Sequence, residues 1–209
     1  MRGSLSAGDR TSRKRADRRP FEIVALAASA GGLTALSSLL GALPRTFGAS
    51  VVAVQHLDPR HRSLMAEIIG RRSLLPVHQA VAGSHVQTGH VYLAPPDHHL
   101  LINRDRTVSL THTELVNFVR PSADLLFESV AASFGQRAIA VVLTGSGRDG
   151  ALGVTAIKQR GGTVIAQDEA SSEFFSMPSA AIRTGVVDFI LPLDEIPGAL
   201  QTLLGEAVD

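Results

Sequence analysis

The apolar positions of this chain come in short uncharged runs separated by segments of helical spacing. IVALAA, SVVAVQ and AIAVVL are hydrophobic at successive positions, so the strands they predict bury both faces, as in a parallel sheet covered by helices. Strands are expected at Glu22–Ala28, Ser50–Gln55, Val77–Ala80, His90–Ala94, Ala138–Leu143, Thr163–Gln167 and Val187–Leu191. Helices are expected at Leu33–Leu40, His61–Arg71, Ala123–Phe134, Ala151–Arg160 and Ile196–Leu204. The alternation predicts a doubly wound α/β fold, a mostly parallel sheet of about seven strands with helices on both faces. Between Val77 and Thr111 strand follows strand, and HHLLINRDRTVSLTH reads as a hairpin around NRDR. This predicts an antiparallel hairpin insertion in the sheet.

Composition narrows the function classes. The 209 residues suit one domain, expected over 21–209. The absence of cysteine excludes disulfides, thiolate nucleophiles and cysteine-held metals. No apolar stretch reaches membrane-spanning length and no secretory signal precedes the first strand, which together predict a protein of the cytoplasm with no membrane insertion. The net charge is +1. Residues 1–20 carry +5 of it, leaving −4 for the rest. This basic arm is expected to be a disordered, solvated tail; it has no aromatic residue to stack on bases and the body is acidic, which disfavours nucleic acid. None of the eight histidines has convincing metal-ligand spacing, and no metal or organic cofactor is expected.

In open α/β sheets the reacting groups collect beyond the carboxyl ends of the strands. Ser29 follows the first predicted strand, His56 the second, and Asp149 lies in TGSGRDG after the third long run. Ala27-Ala28-Ser29-Ala30-Gly31 has the spacing of the strand-to-helix elbow that exposes a serine hydroxyl. The amides of Ala30, Gly31 and Gly32 would then face a developing oxyanion at a helix N-terminus. Serine needs a base, and the base an orienting partner; His56 and Asp149 suit those roles. Each residue also has a plainer reading: Ser29 as a turn or cap, His56 as a hydrogen-bonded core residue, Asp149 as a helix N-cap.

Gly145-Ser146-Gly147-Arg148-Asp149-Gly150 also spells the glycine pattern of a dinucleotide fold, and Asp168 and Glu169 follow at the distance of a ribose-binding acid. Chemistry opposes that alternative, because Asp149 would set a carboxylate against the pyrophosphate.

Taken together, AASAGG, VAVQH and LTGSGRDGA, with VYLAPPDHHL, RPSADLLFESVA, GGTVIAQDEASS and FSMPSAAI, make the chain from about Phe21 to Leu204 resemble the catalytic domain of the bacterial chemotaxis protein-glutamate methylesterases. The resemblance implies a cytoplasmic serine hydrolase that removes methyl esters from glutamates of chemoreceptor helices and releases methanol, some members also deamidating glutamine. It implies Ser29 as nucleophile, His56 as base and then acid, and Asp149 as the partner of the ring. Ala30, Gly31, Gly32, Gly145, Ser146 and Arg120 are the expected oxyanion and substrate contacts. Three departures stand in the motifs: Ala27 for the first elbow glycine, Ala30 where threonine is usual, and Ser146 where methionine is usual. Val119 stands where histidine is common. The family's N-terminal receiver domain is not expected in the basic arm of about twenty residues before the first strand. The competing expectation is a catalytically idle relative that binds receptor helices or a receptor methyltransferase.

Overall fold

The computed structural model describes residues 21–56 and 63–206. The basic arm and the first residues of the helix expected from His61 lie outside the described residues.

Seven strands form one parallel sheet: β1 (Ile23–Ala28), β2 (Ser50–Gln55), β3 (Val77–Gln79), β4 (Val91–Leu93), β7 (Ala138–Val142), β8 (Thr163–Gln167) and β9 (Phe189–Leu191), in the order β3-β4-β2-β1-β7-β8-β9. β1 is central because it can be: all six of its residues are buried, and a strand with neighbours on both edges and helices on both faces tolerates no polar side chain. Its side chains divide by alternation. Ile23, Ala25 and Ala27 enter one core with α3 (Ala123–Phe134), α4 (Ala151–Gln159) and α5 (Ser176–Ile182). Val24, Leu26 and Ala28 enter the other with α1 (Gly32–Gly41), α2 (Met65–Gly70) and α6 (Ile196–Leu204).

The sheet grows outward from β1 through β2 to β4 and β3, then returns to place β7 on the other side of β1. That reversal makes the carboxyl ends of β1 and its neighbours the switch point, where an open α/β sheet leaves a crevice.

Two features depart from expectation. The hairpin does form, as β5 (His99–Ile102) antiparallel to β6 (Val108–Thr111), but it is a separate two-stranded sheet rather than an insertion in the main one. It is fastened to α3, where Ser129 Oγ accepts from the Ile102 amide and Ser133 Oγ donates to the Ile102 carbonyl. β3 and β4, inside the stretch read as antiparallel, pair in parallel. The second departure is α5, absent from the expected helices. Pro178 sits in its first turn, where backbone N–H groups have no partner within the helix in any case.

Candidate active site

Ser29 and His56 stand at adjacent strand ends. Ala28 pairs with Gln55 in the β1–β2 register, and the His56 amide donates to the Ala28 carbonyl at 3.2 Å. The Gln55 side chain ties the two ends together, its amide donating to the Ser29 carbonyl (2.6 Å) and the His56 carbonyl (3.1 Å). On the other side of Ser29 its own amide donates to the Thr144 carbonyl at 3.0 Å. Thr144 in turn is buried and holds the Ala30 and Phe174 carbonyls through its hydroxyl.

The elbow forms because the sequence removes the atoms that would obstruct it. Gly31 caps α1 with φ 75°, a backbone conformation that costs glycine little and other residues much. A Cβ on Gly32 would fall 2.0 Å from Gln55 Oε1, and one on Gly145 would fall 2.8 Å from Ser29 Cβ and 2.4 Å from Met177 Sδ. Gly145 therefore serves the site by close approach: any side chain there must push against Ser29 and move the end of the Met177 side chain.

The expected oxyanion donors separate. The Gly32 amide is taken by the Ser29 carbonyl (2.8 Å) and the Gly145 amide by the Phe174 carbonyl (2.8 Å), so neither is free to receive an oxyanion. Among the described residues no acceptor takes the amides of Ala30 or Gly31, which leaves these two at the head of α1 with the positive end of the helix behind them.

His56 Nε2 lies 2.9 Å from Asp149 Oδ2. Because the carboxylate accepts, Nε2 carries the proton and Nδ1 keeps its lone pair. No hydrogen bond joins Ser29 Oγ to the ring among the described residues; serine–histidine bonds of this kind commonly tighten only around bound substrate. Asp149 is buried and richly bonded. It accepts from the Ser122 hydroxyl (2.9 Å), the Ala123 amide, the Asp124 amide (3.3 Å) and the Asn117 side chain (3.3 Å). Burial alone would push its carboxyl up, but the bond from His56, followed by the Ala123 amide and the Ser122 hydroxyl, holds it below the ordinary carboxylate range.

The cap reading of Asp149 holds in an altered form. Asp149 caps α3 rather than α4, the helix it precedes. α4 is capped by Asp124 from α3, whose Oδ1 accepts from the amides of Gly150 (2.9 Å) and Gly153 (2.8 Å). The same contact disposes of the dinucleotide alternative, since the helix N-terminus that would receive a pyrophosphate already faces a carboxylate. Asp168 is likewise engaged, accepting from the Ser171 amide and hydroxyl.

A cleft of about 280 Å³ opens beside His56 and Asp149. One wall is the turn Asn117-Phe118-Val119 and the other the loop Ser146-Gly147-Arg148. Arg120 is not part of this lining. Its guanidinium is turned to Asp97 (Nε to Oδ1, 2.8 Å) and to the Thr113 carbonyl, and it meets His112 at 2.8 Å; the Arg120 and then the His112 bonds hold Asp97 below the ordinary carboxylate range. Arg120 braces the 97–120 region through these bonds. Among the described residues no group of three or more His, Cys, Asp or Glu could hold a metal ion.

Sequence reasoning passed over Asn117, Ser122, Asp124, Gln55 and Thr144. Ser122 carried a signal, a serine immediately before a helical run that caps α3 by accepting from the Leu125 amide. The others had none, because their partners are distant in sequence.

Comparison with known proteins shows the family. The family model described as CheB methylesterase matches residues 24–200. A protein-glutamate methylesterase/protein-glutamine glutaminase of Cupriavidus metallidurans is 45% identical over 183 residues, covering 88% of this chain and 54% of that protein. A Pyrococcus abyssi protein of the same name is 41% identical over 177 residues, covering 83% of this chain and 48% of that protein. The chain thus spans about half the length of these two, but 91% of a Leptospira interrogans relative that is 38% identical. The crystal structure of the Thermotoga maritima CheB methylesterase catalytic domain superposes with a TM-score of 0.85 at 36% identity, covering 88% of this chain and all of that one. The chain belongs to the CheB methylesterase family.

Proposed function

We propose that the chain is a serine hydrolase that cleaves glutamyl methyl esters on the cytoplasmic helices of chemoreceptors, with Ser29 as nucleophile, His56 as general base and acid, and Asp149 as the group that orients the ring. The observation that carries this reading is the 2.9 Å bond from His56 Nε2 to a buried, ionised Asp149, placed at the strand end next to Ser29. The relatives named protein-glutamate methylesterase/protein-glutamine glutaminase support a glutamyl ester as substrate, and a chemoreceptor's cytoplasmic helices would set the reaction in the cytoplasm.

The residues suggest the following course. His56 Nδ1 takes the proton from Ser29 Oγ as the oxygen attacks the ester carbonyl, and the Ala30 and Gly31 amides receive the negative charge that develops on the carbonyl oxygen. Asp149 stabilises the imidazolium without taking its proton. His56 returns the proton to the departing methoxide, methanol leaves, and Ser29 carries the glutamyl acyl group. Water, deprotonated by His56, then opens that ester and restores glutamate and free Ser29. Attack by the same route on a glutamine side chain would release ammonia instead. Arg148 at the cleft rim favours acidic neighbours of the target.

The test is direct. A methyl-esterified receptor cytoplasmic segment mixed with the chain yields methanol and free glutamate in equal amounts. A segment whose esters survive at enzyme concentrations comparable to substrate refutes the reading and favours a binding role.

A further inference from the structure

We propose that Asn117 is a positioning residue for the reaction: bridging two buried carboxylates, it fixes the Asp149 carboxylate and through it the tautomer and reach of the His56 ring. This deepens the catalytic reading above and rests on it.

The bridge is made by one amide nitrogen. Asn117 Nδ2 donates to Asp124 Oδ2 at 2.9 Å and to Asp149 Oδ1 at 3.3 Å. Asp124 and Asp149 are brought together by the two helices, because each caps the helix to which the other belongs or leads. Two buried carboxylates at such range oppose each other's charge. Burial first, and then the Asp149 charge, push the Asp124 carboxyl up, while the Gly153 amide and Asn117 work against the rise. A neutral donor shared between them is what the arrangement requires, and among the described residues Asn117 is the one whose donor reaches both carboxylates.

The residue type follows from the backbone. Asn117 and Phe118 have φ of 50° and 65° and form the tip of a two-residue turn closed by Val116 and Val119. Asparagine enters left-handed conformations more readily than most residues. Glycine would fit the backbone but carry no donor, and aspartate would add a third carboxylate. Asparagine alone among these turn formers supplies both. The caps of α3 and α4 do not pass through Asn117, so a purely structural residue here could be lost with no effect on the ring of His56.

Asn117→Gly removes the amide and keeps the turn affordable; Asn117→Asp keeps the turn and removes the donor. In both, kcat for methyl-ester hydrolysis falls by about 10- to 100-fold, as for other residues that orient a reacting group's partner, while KM stays within about twofold. The nitrogen NMR signals of the His56 ring change from the Nε2–H tautomer to a mixture. In an Asp149→Asn background, Asn117→Gly changes kcat by less than about twofold, since it acts through Asp149. The proposal is overturned by an unshifted tautomer, or by an equal fractional loss of kcat in both backgrounds. The NMR measurement needs no substrate: a wild-type chain that leaves the esters intact while Asn117→Gly alters the tautomer would defeat the esterase reading and leave the positioning role standing.

Discussion

Ser29→Ala lowers kcat for methyl-ester hydrolysis by on the order of 10⁶ and leaves the fold unchanged. Both halves follow from the bonds of residue 29. What secures it is backbone: its amide donates to Thr144, and its carbonyl accepts from Gly32 and from Gln55. Alanine keeps all three. The hydroxyl makes no hydrogen bond among the described residues, so its loss orphans no buried partner. The variant therefore unfolds within a few degrees of wild type and binds substrate with similar KM, while methanol release at saturation nearly disappears. A residual rate above water remains, from the Ala30 and Gly31 amides and from orientation of the ester. An idle relative would give no methanol in either protein.

Asp149→Asn separates the two functions of its carboxylate. An asparagine oxygen in the place of Oδ1 can still accept from the Ser122 hydroxyl and the Asp124 amide, but the Ala123 amide loses its acceptor, the ring of His56 loses the anion that selects Nε2–H, and kcat falls by about 10⁴. Stability changes too, in a direction that pH reveals. The Asp149 carboxyl is held below its ordinary range, so its contribution is fully present above the unfolded-state pKa and is lost as pH falls through the depressed folded value. Asp124 is shifted the other way; its contribution is present in acid and is lost as pH rises through its folded value. In the variant the first contribution is gone, and Asp124, relieved of the neighbouring charge, returns toward its ordinary range. Relief of Asp124 opposes this trend, but the direct His56, Ala123 and Ser122 bonds to Asp149 make the larger contribution, so denaturant unfolding followed from neutral pH into the acid range should show the wild-type advantage shrinking as pH falls. A gap that widens in acid would show that these bonds do not outweigh the repulsion between Asp124 and Asp149.

How much of this could be read from residues alone depended on the range of the interaction. The sheet was legible because IVALAA and AIAVVL leave no polar face, and such a strand has only one place to be. That Ser29 and His56 follow neighbouring strands and that His56 meets Asp149 was legible because position after a strand is a local property. What proximity does was not. The Gly32 amide looked like an oxyanion donor until the turn folded it onto Ser29. Nothing in the spacing of Arg120 announces that its guanidinium pairs with Asp97. The VNFV stretch has the composition of a strand, and only the left-handed backbone at Asn117 and Phe118 turns it into the wall of the cleft. The exchange of caps between Asp124 and Asp149 depends on how α3 packs against α4, where Gly153 has no room for a side chain because Phe127 Cβ lies 2.6 Å from where its Cβ would stand. No spacing in the sequence encodes that contact.

Turnover by this route requires a covalent bond to one oxygen, Ser29 Oγ. Quenching the reaction with a methyl-esterified receptor segment in its first turnovers, followed by peptide mapping in the mass spectrometer, should find the acyl adduct on the peptide that holds Ser29, with methanol already released and the adduct absent in Ser29→Ala. Methanol released at an undiminished rate by Ser29→Ala, or an adduct carried by a residue other than Ser29, would contradict it.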